Sequence, residues 1–366
     1  MKILYIAPDI TDSGGISRVI SLKANYFVTN LDYEVSILSV NDSYPSCFYD
    51  FNPAIKWFTI KKSKKTYHFL RNYIRLIKLT ISNEKPDVIV ICDAVFWLFI
   101  PLFVKTEIPV VFETHFSFFF KKEELHSLSS KLRHKLILIW RKKTLNKFSS
   151  SVFETLQGSA EWNLNNSEVI PNPLPFLEKN KAALVNKKAM AVCMNPYVKG
   201  LDRLLLIWSK IIDKHSDWEL NIYGHWETNL EFKKMATTLK ISNNVNFLSP
   251  TPDIQSAYNK SSVFLMTSRT EAFGMVLIEA MASGVPCIAY DCPSGPKSII
   301  KEGINGFLIE DGNSDSYVQK LELLIEDEDL RQQMSTNSQE SVKKFEIDSI
   351  MNEWDKLFKD LIKLSP

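Results

Sequence analysis

Cysteine is sparse and unpatterned: Cys47, Cys92, Cys193, Cys287 and Cys292 are odd in number, scattered, and include no C-x-x-C pair. A disulfide framework and a zinc knuckle are both excluded on that ground, and a reducing cytosol is the expected setting. Long apolar runs are missing too. The longest, Val88 to Val104, is broken by Asp93 and Pro101 and falls short of the roughly 20 residues that a bilayer-spanning helix needs. After Met1 and Lys2 only five apolar residues precede Pro8 and Asp9, too few for a signal peptide, so export is not expected. With 11 glycines in 366 residues, 45% hydrophobic and 23% charged content, the chain is neither collagen-like, low-complexity nor disordered. A Ser-His-Asp order, a P-loop and a cysteine-nucleophile context are all lacking, which removes the corresponding hydrolase and kinase readings. The one D-x-D, Asp327-Glu328-Asp329, lies in an acidic run after a helical pattern and reads as a solvated end, so no metal is expected.

What remains is long enough for two domains, each with its own core. Charge divides the same way: residues 1–180 carry 23 Lys+Arg against 17 Asp+Glu, and the rest 21 against 25. The basic excess is concentrated in Lys61–Lys85 and Lys121–Lys147, both interleaved with aromatic and aliphatic residues. A nucleic acid, an anionic membrane surface or a solvated helix face would each suit that pattern.

Short β-branched runs alternate with helical patterns, the mark of parallel βαβ units. The strand candidates of the first half are Lys2–Ala7, Glu34–Val40, Asp87–Ile91, Pro109–Phe112 and Ser150–Glu154. Those of the second are Ala189–Cys193, Glu219–Tyr223, Val245–Leu248, Val263–Thr267, Pro286–Tyr290 and Gly306–Ile309. Three prolines in Pro171-Asn172-Pro173-Leu174-Pro175 can continue neither a helix nor a central strand, which predicts a hinge there. The expected organisation is an α/β fold of two Rossmann-like doubly wound parallel sheets: a domain over 1–170, a hinge over 171–180, and a second domain over 181–345. An amphipathic helix over 346–366 is expected to pack back on the first domain. Such sheets bind ligands at the carboxyl ends of their strands, which are expected to face one cleft.

The stretch from Thr267 to Pro286 follows a strand and opens a helix near Gly274. Its spacing puts Glu271 in the turn and Glu279 two helical turns further on, beside the backbone N–H groups of Phe273, Gly274, Met275 and Val276. A helix N-terminus of this kind takes an anion, and carboxylates next to it accept sugar hydroxyls. Alternatively Glu271 complements the helix dipole and Glu279 sits on a solvated face.

Glu271-x7-Glu279, with Gly284-Val285-Pro286 after it, resembles the E-x7-E motif of glycosyltransferase family 4, the retaining nucleotide-sugar transferases of GT-B fold. The likeness extends along the chain through Ser13-Gly14-Gly15-Ile16, Thr114-His115, Ile170-Pro171-Asn172-Pro173, Lys199-Gly200 and Ile304-Asn305-Gly306-Phe307-Leu308. It implies that Glu271 contacts the transferred sugar and Glu279 the ribose, that the amides of residues 273–276 hold diphosphate or sugar, and that Lys199 neutralises the departing diphosphate. It further implies that Gly14 and Gly15 let backbone approach a phosphate, that His115 orients the sugar, and that Asn172 belongs to the hinge. Where the family usually has an arginine this chain has Met194, and Arg269 is the candidate replacement.

Trp218 to Gly224, with Asp291 to Lys297, resembles the subgroup that builds bacterial surface polysaccharides and lipid-linked oligosaccharides from UDP-sugars, which places Ser294 and Gly295 in the donor pocket. The implied activity is transfer of a hexose or N-acetylhexosamine from a nucleotide-diphosphate sugar, as substrate and without a cofactor, to a glycan or undecaprenyl-linked acceptor. The implied setting is the cytoplasmic side of an anionic membrane met through the basic segments, without nucleic acid. A UDP-sugar hydrolase or epimerase of the same fold, and a non-catalytic nucleic-acid- or lipid-binding protein, are the alternatives.

Overall fold

The β-branched runs form strands, and every pairing among them is parallel. The computed structural model describes residues 1–41, 46–61, 66–93, 100–103, 107–115, 128–176 and 182–364. By its internal contacts the chain separates into one unit of Met1–Pro173 with Ile347–Pro366 and another of Leu174–Glu346. Residues 177–180 of the expected hinge, and 62–65 and 121–127 of the two basic segments, lie outside the described residues.

In the first unit the chain runs β1 (Lys2–Ala7), α1 (Gly15–Leu31), β2 (Glu34–Val40), β3 (Lys56–Ile60), α2 (Thr66–Glu84), β4 (Val88–Cys92), α3 (Ile100–Phe103), β5 (Val110–Glu113), α4 (Leu128–Leu145), β6 (Ser150–Phe153), α5 (Leu156–Trp162) and β7 (Ser167–Val169). Its sheet has the order β3-β2-β1-β4-β5-β6-β7. Central strands reading Ile3-Leu4-Tyr5-Ile6 and Val88-Ile89-Val90-Ile91 are buried throughout, as a sheet covered by helices on both faces requires.

In the second unit follow β8 (Lys188–Val192), α6 (Leu201–Ile212), β9 (Glu219–Tyr223), α7 (Leu230–Thr238), β10 (Val245–Leu248), α8 (Ile254–Asn259), β11 (Val263–Met266), α9 (Met275–Ala282), β12 (Cys287–Asp291), β13 (Gly306–Glu310), α10 (Ser314–Glu326) and α11 (Glu328–Val342). This sheet has the order β10-β9-β8-β11-β12-β13. Asp327 is the N-cap of α11, its carboxylate accepting from the Leu330 N–H at 2.8 Å, so the D-x-D begins a helix.

The last helix, α12 (Ile347–Leu364), lies on the first unit. Ile350, Trp354 and Phe358, spaced four apart, are buried against Ile20, Ala24 and Phe27 of α1. Each such side chain removed from water contributes roughly 1.5–3 kcal/mol. The Tyr26 hydroxyl donates to Asp348 at 2.8 Å and that of Tyr33 to Asp355 at 2.5 Å, fixing the helix along its length. In each sheet the strand order reverses once beside the first strand, between β1 and β4 and between β8 and β11, and the loops leaving β1, β8 and β11 carry Gly14, Gly15, Lys199 and Glu271.

Candidate active site

In the second unit the loops after β8 and β11 are stitched together. Thr267 Oγ1 donates to the carbonyl oxygens of Gly200 at 2.8 Å and Lys199 at 3.2 Å, and the Arg269 N–H donates to Val198 at 2.8 Å. Gly200 starts α6 with φ +64°, and a Cβ there would fall 2.0 Å from the Thr267 carbonyl oxygen, so no other residue fits. This stitching carries Lys199 to Glu271, 72 positions away: Nζ donates to Oε1 at 2.6 Å, and the Ser268 hydroxyl donates to the same oxygen at 2.6 Å. Burial works against the lysine's charge, but the Glu271 carboxylate outweighs it and its pKa is raised. Lys199 therefore stands as a cation beside a carboxylate that a substrate hydroxyl can reach only by sharing it.

Glu271 also pairs, as an isolated parallel bridge, with Ser294, a buried residue at φ +80°. A Cβ on Gly295 would meet the Phe273 carbonyl oxygen at 2.4 Å, so Pro293-Ser294-Gly295 lies directly against the turn that opens α9. Gly274 caps that helix at φ +104°. The Leu277 N–H turns back to the Gly274 carbonyl at 2.9 Å, and the N–H groups ahead of it, which an α-helix leaves without i−4 partners, present a positive end. Glu279 is not on a solvated face: it is buried in α9 and accepts from the Tyr258 hydroxyl at 3.0 Å.

Arg269 stands in a bidentate pair with Asp202, at 2.7 and 2.9 Å, and its guanidinium lies 4.3 Å from the centre of the Tyr197 ring. Its charge is matched at the first turn of α6. Met194 is half-buried.

In the first unit, the loop at Gly14 and Gly15 already holds an anion of the chain's own. Asp12 Oδ1 accepts from the Gly14 N–H at 3.0 Å and from the Ser17 hydroxyl at 2.5 Å, at the N-terminus of α1. Gly14 has an ordinary φ of −75°, but a Cβ there would meet Asp12 Oδ1 at 3.0 Å, whereas a Cβ on Gly15 would meet nothing within 4 Å; Gly14 thus makes room for the Asp12 carboxylate and Gly15 is not demanded by its surroundings.

His115 follows β5 and sits among carboxylates that close three successive strands: Asp93 after β4, Glu113 ending β5, and Glu154 after β6. Its side chain is 4% exposed. Nδ1 is 2.8 Å from Glu154 Oε1, the His115 backbone N–H donates to Asp93 Oδ2 at 2.5 Å, and Nε2 lies 3.5 Å from Glu113 Oε1. Glu113 is taken from the other side by Lys23 of α1, whose Nζ donates to both carboxylate oxygens and lies 3.9 Å from the centre of the Trp354 ring of α12. Burial alone would raise Glu113, but Lys23 and His115 hold it below the usual carboxylate range. Burial alone would discharge His115, but Glu113 and Glu154 lift it to about 9, so the ring is an imidazolium at neutral pH. Asp93 is pushed up to about 7, chiefly by burial. Asn172, buried, donates from Nδ2 to Glu154 Oε1 at 2.6 Å. The donor atoms of Cys92, Glu113 and His115 lie within 4.8 Å of one another, the spacing of a metal set. Lys23, however, takes both Glu113 oxygens and burial drives the Cys92 thiol up, which sets this trio against holding a cation.

The two basic segments divide. In α2, Phe69, Tyr73 and Ile77 enter the core, leaving Arg71, Arg75 and Lys78 as a solvated face. In α4, Leu132, Leu136, Ile139 and Trp140, at the spacing of one helix face, are exposed at 61, 59, 45 and 39% beside the exposed Lys135 and Lys143.

The site residues thus fall in two groups, each within its own unit. One joins Lys199, Glu271, the start of α9, Glu279, Ser294 and Gly295; the other joins His115 and Asn172 through Glu154. Ser268, Tyr258, Lys23, Glu113 and Glu154 were not among the residues expected from the sequence. The signal for two of them was present, since Glu113 and Glu154 are carboxylates ending apolar strands.

Comparison with known proteins bears on both units. Residues 13–173 match the model of Glycosyltransferase Family 4, and residues 178–341 that of Glycosyl transferases group 1. An uncharacterized glycosyltransferase of Haemophilus influenzae is 30% identical over 364 residues, covering 96% of this chain and 98% of that protein. The amylovoran biosynthesis glycosyltransferase AmsD of Erwinia amylovora is 26% identical over 96% of this chain and 98% of its own. Among solved structures, a sucrose-phosphate synthase from Thermosynechococcus elongatus superposes with a TM-score of 0.84 at 15% identity, both chains being covered fully. HepE of Anabaena, solved with UDP and glucose, superposes with a TM-score of 0.73 at 17% identity, over 98% of this chain and 100% of that one.

Proposed function

The chain belongs to glycosyltransferase family 4, with the GT-B fold, and on that premise we propose that it moves a hexose or N-acetylhexosamine from a UDP-sugar to a hydroxyl of a surface glycan or lipid-linked oligosaccharide, with retention at the anomeric carbon. The observation that carries this reading is the 2.6 Å pair of Lys199 with Glu271 against the positive end of α9. A cation and a helix N-terminus together take a diphosphate, and the carboxylate takes sugar hydroxyls. Glu279, held by Tyr258, is the acceptor for ribose hydroxyls. Ser294 and Gly295 wall the pocket, and the amides of Phe273 to Val276 line its floor. His115, as an imidazolium with a buried Nε2, serves as a hydrogen-bond donor to the transferred sugar. Glu271 is engaged by a lysine and a hydroxyl and is no free nucleophile, which favours front-side attack in which the departing diphosphate takes the acceptor's proton.

Arg269, with its charge matched by Asp202, is a weaker candidate for the diphosphate than Lys199, and Gly14 and Gly15 contribute only if Asp12 yields its place. The surface-glycan substrate draws on the amylovoran relative, and UDP on the HepE complex. Peripheral attachment to an anionic membrane is assigned to α4, whose exposed Leu132, Leu136, Ile139 and Trp140 lie among lysines.

The test is release of UDP or GDP from a panel of UDP- and GDP-sugars, with and without glycan acceptor and with and without EDTA. Turnover of a UDP-sugar that needs acceptor and survives chelation is expected. Release without any sugar transfer would favour the hydrolase reading, and loss on chelation restored by magnesium would overturn the metal-free one.

A further inference from the structure

His115 is gripped on one side by a carboxylate that pairs, among the described residues, with no other cation. Glu113, on the other side, is matched by Lys23 through both oxygens. Glu154 meets, among the described residues, only the His115 ring and the Asn172 amide, and both reach the same oxygen, Oε1, at 2.8 and 2.6 Å. All three side chains are at least nine-tenths buried. A histidine ring bonded to a carboxylate through Nδ1 carries its proton there and turns Nε2 to the opposite side. That Nε2 is buried and, among the described residues, makes no hydrogen bond; Glu113 Oε1 stands at ion-pair distance from it, 3.5 Å away. A buried donor with no partner is costly in a resting protein and needs an occupant for its own sake.

We propose that Glu154 is a positioning residue of this transferase: seated by Asn172, it fixes the charge and the ring orientation of His115 so that Nε2–H is held ready for an oxygen of the bound sugar nucleotide. The inference rests on the role given to His115 above. Asn172 stands two residues before Leu174, where the chain enters the second unit. The groups facing His115 are Asp93 and Cys92 of the β4 end, Glu113 of β5, Glu154 of the β6 end and, behind Glu113, Lys23 of α1; Arg141 of α4 acts on Asp93. Glu113 and Asp93 also favour the ring's charge, but Glu154 adds both its charge and the hydrogen bond to Nδ1, so removing the Glu154 charge takes away the part of the hold that also orients the ring.

The experiment pairs a spectroscopic and a kinetic reading on the full chain. Long-range nitrogen-15 spectra of the imidazoles, with His115→Ala identifying the His115 signals, follow its titration in wild type, Glu154→Gln and Asn172→Ala. Glu154→Gln keeps size and a hydrogen-bond acceptor, and its His115 midpoint is expected to fall by about one pH unit or more, the effect of losing one adjacent opposite charge. Asn172→Ala is expected to shift it less. UDP release from UDP-glucose, UDP-galactose or UDP-N-acetylglucosamine, whichever is turned over, is expected to show kcat lowered about tenfold in Glu154→Gln with KM changed less than threefold. Glu154→Asp should recover part of that loss. An unmoved midpoint in folded Glu154→Gln overturns the proposal. If Glu154→Gln shifts the midpoint but His115→Ala turns over like wild type, the hold on the ring stands and the catalytic role of His115 fails instead.

Discussion

Removing Glu271 should separate what the Lys199–Glu271 pair does for folding from what it does for transfer. Glu271 is 9% exposed and Lys199 21%, with 2.6 Å between Nζ and Oε1. A hydrogen bond to a charged group contributes about 1.5–3 kcal/mol, and a fully buried pair costs about 3–5 kcal/mol when one partner is removed. Lys199 keeps a fifth of its surface in water, so Glu271→Ala should sit at the lower end, about 2 kcal/mol. In a unit of this size that lowers the melting temperature by about 4–8 °C. Lys199→Ala should cost less, because Glu271 retains the Ser268 hydroxyl. In the double variant the losses should fall short of their sum by about 1–2 kcal/mol, the coupling that charges in contact show. Transfer should suffer more than stability: with hydroxyl and diphosphate contacts both weakened, Glu271→Ala should lose about 100-fold or more in turnover, equivalent to about 2.7 kcal/mol in the barrier. Melting curves and UDP release on the same preparations give both numbers. A folded Glu271→Ala protein retaining more than half the activity would refute the assignment, and additive stability losses would refute the pair.

Three further outcomes are expected. Gly200→Ala, with its Cβ 2.0 Å from the Thr267 carbonyl and φ at +64°, should cost about 3 kcal/mol or more, whereas Gly303→Ala, at φ +72° with nothing within 4 Å, should cost only the backbone strain of about 1–2 kcal/mol; equal melting temperatures for the two would be inconsistent with the stitched loop. His115 and Asp93 both hold protons more tightly when folded, at about 9 and about 7, so their contribution is complete at low pH and falls as pH rises. The histidine's share, on the order of 3 kcal/mol, should disappear between about pH 6.5 and 9, and an unchanged pH slope of melting in His115→Ala would disprove it. Finally, the protein should sediment with anionic vesicles and much less with neutral ones, and Leu136→Glu with Trp140→Glu should abolish this without changing UDP-sugar binding; sedimentation that ignores vesicle charge would remove α4 from that role.

The architecture was legible because parallel sheets buried on both faces must be written in continuous β-branched runs, and Lys2–Ala7, Glu34–Val40 and Glu219–Tyr223 were read to the residue. The edge strands β3 and β7 escaped, since Lys56-Trp57-Phe58-Thr59-Ile60 and Ser167-Glu168-Val169 lack that pattern; an edge is solvated on one side and short. Burial in α2 against exposure in α4 was equally hidden, because cations interleaved with apolar residues read alike whichever face turns inward.

The two groups of site residues differ in legibility for a reason of locality. Glu271, Phe273 to Val276 and Glu279 lie within nine positions of one another, so a turn and two helical turns suffice to place them, and a motif can carry the whole arrangement. His115 is ordered by partners far from it in the chain: Glu154 and Asn172, 39 and 57 positions after it, and Asp93 and Lys23, 22 and 92 positions before it, each on a different element. Only the strand order β1-β4-β5-β6 brings the closing carboxylates side by side, and only the packing of α1 against the sheet sends Lys23 to Glu113. Sequence spacing holds no trace of that. What it does hold is a carboxylate at the end of each of three neighbouring apolar strands, Asp93, Glu113 and Glu154. In a parallel sheet such ends lie together, and like charges so placed must be met by protons or cations; this chain supplies Lys23, the His115 proton and a raised Asp93. A histidine placed next to such a row is therefore held charged by the fold itself.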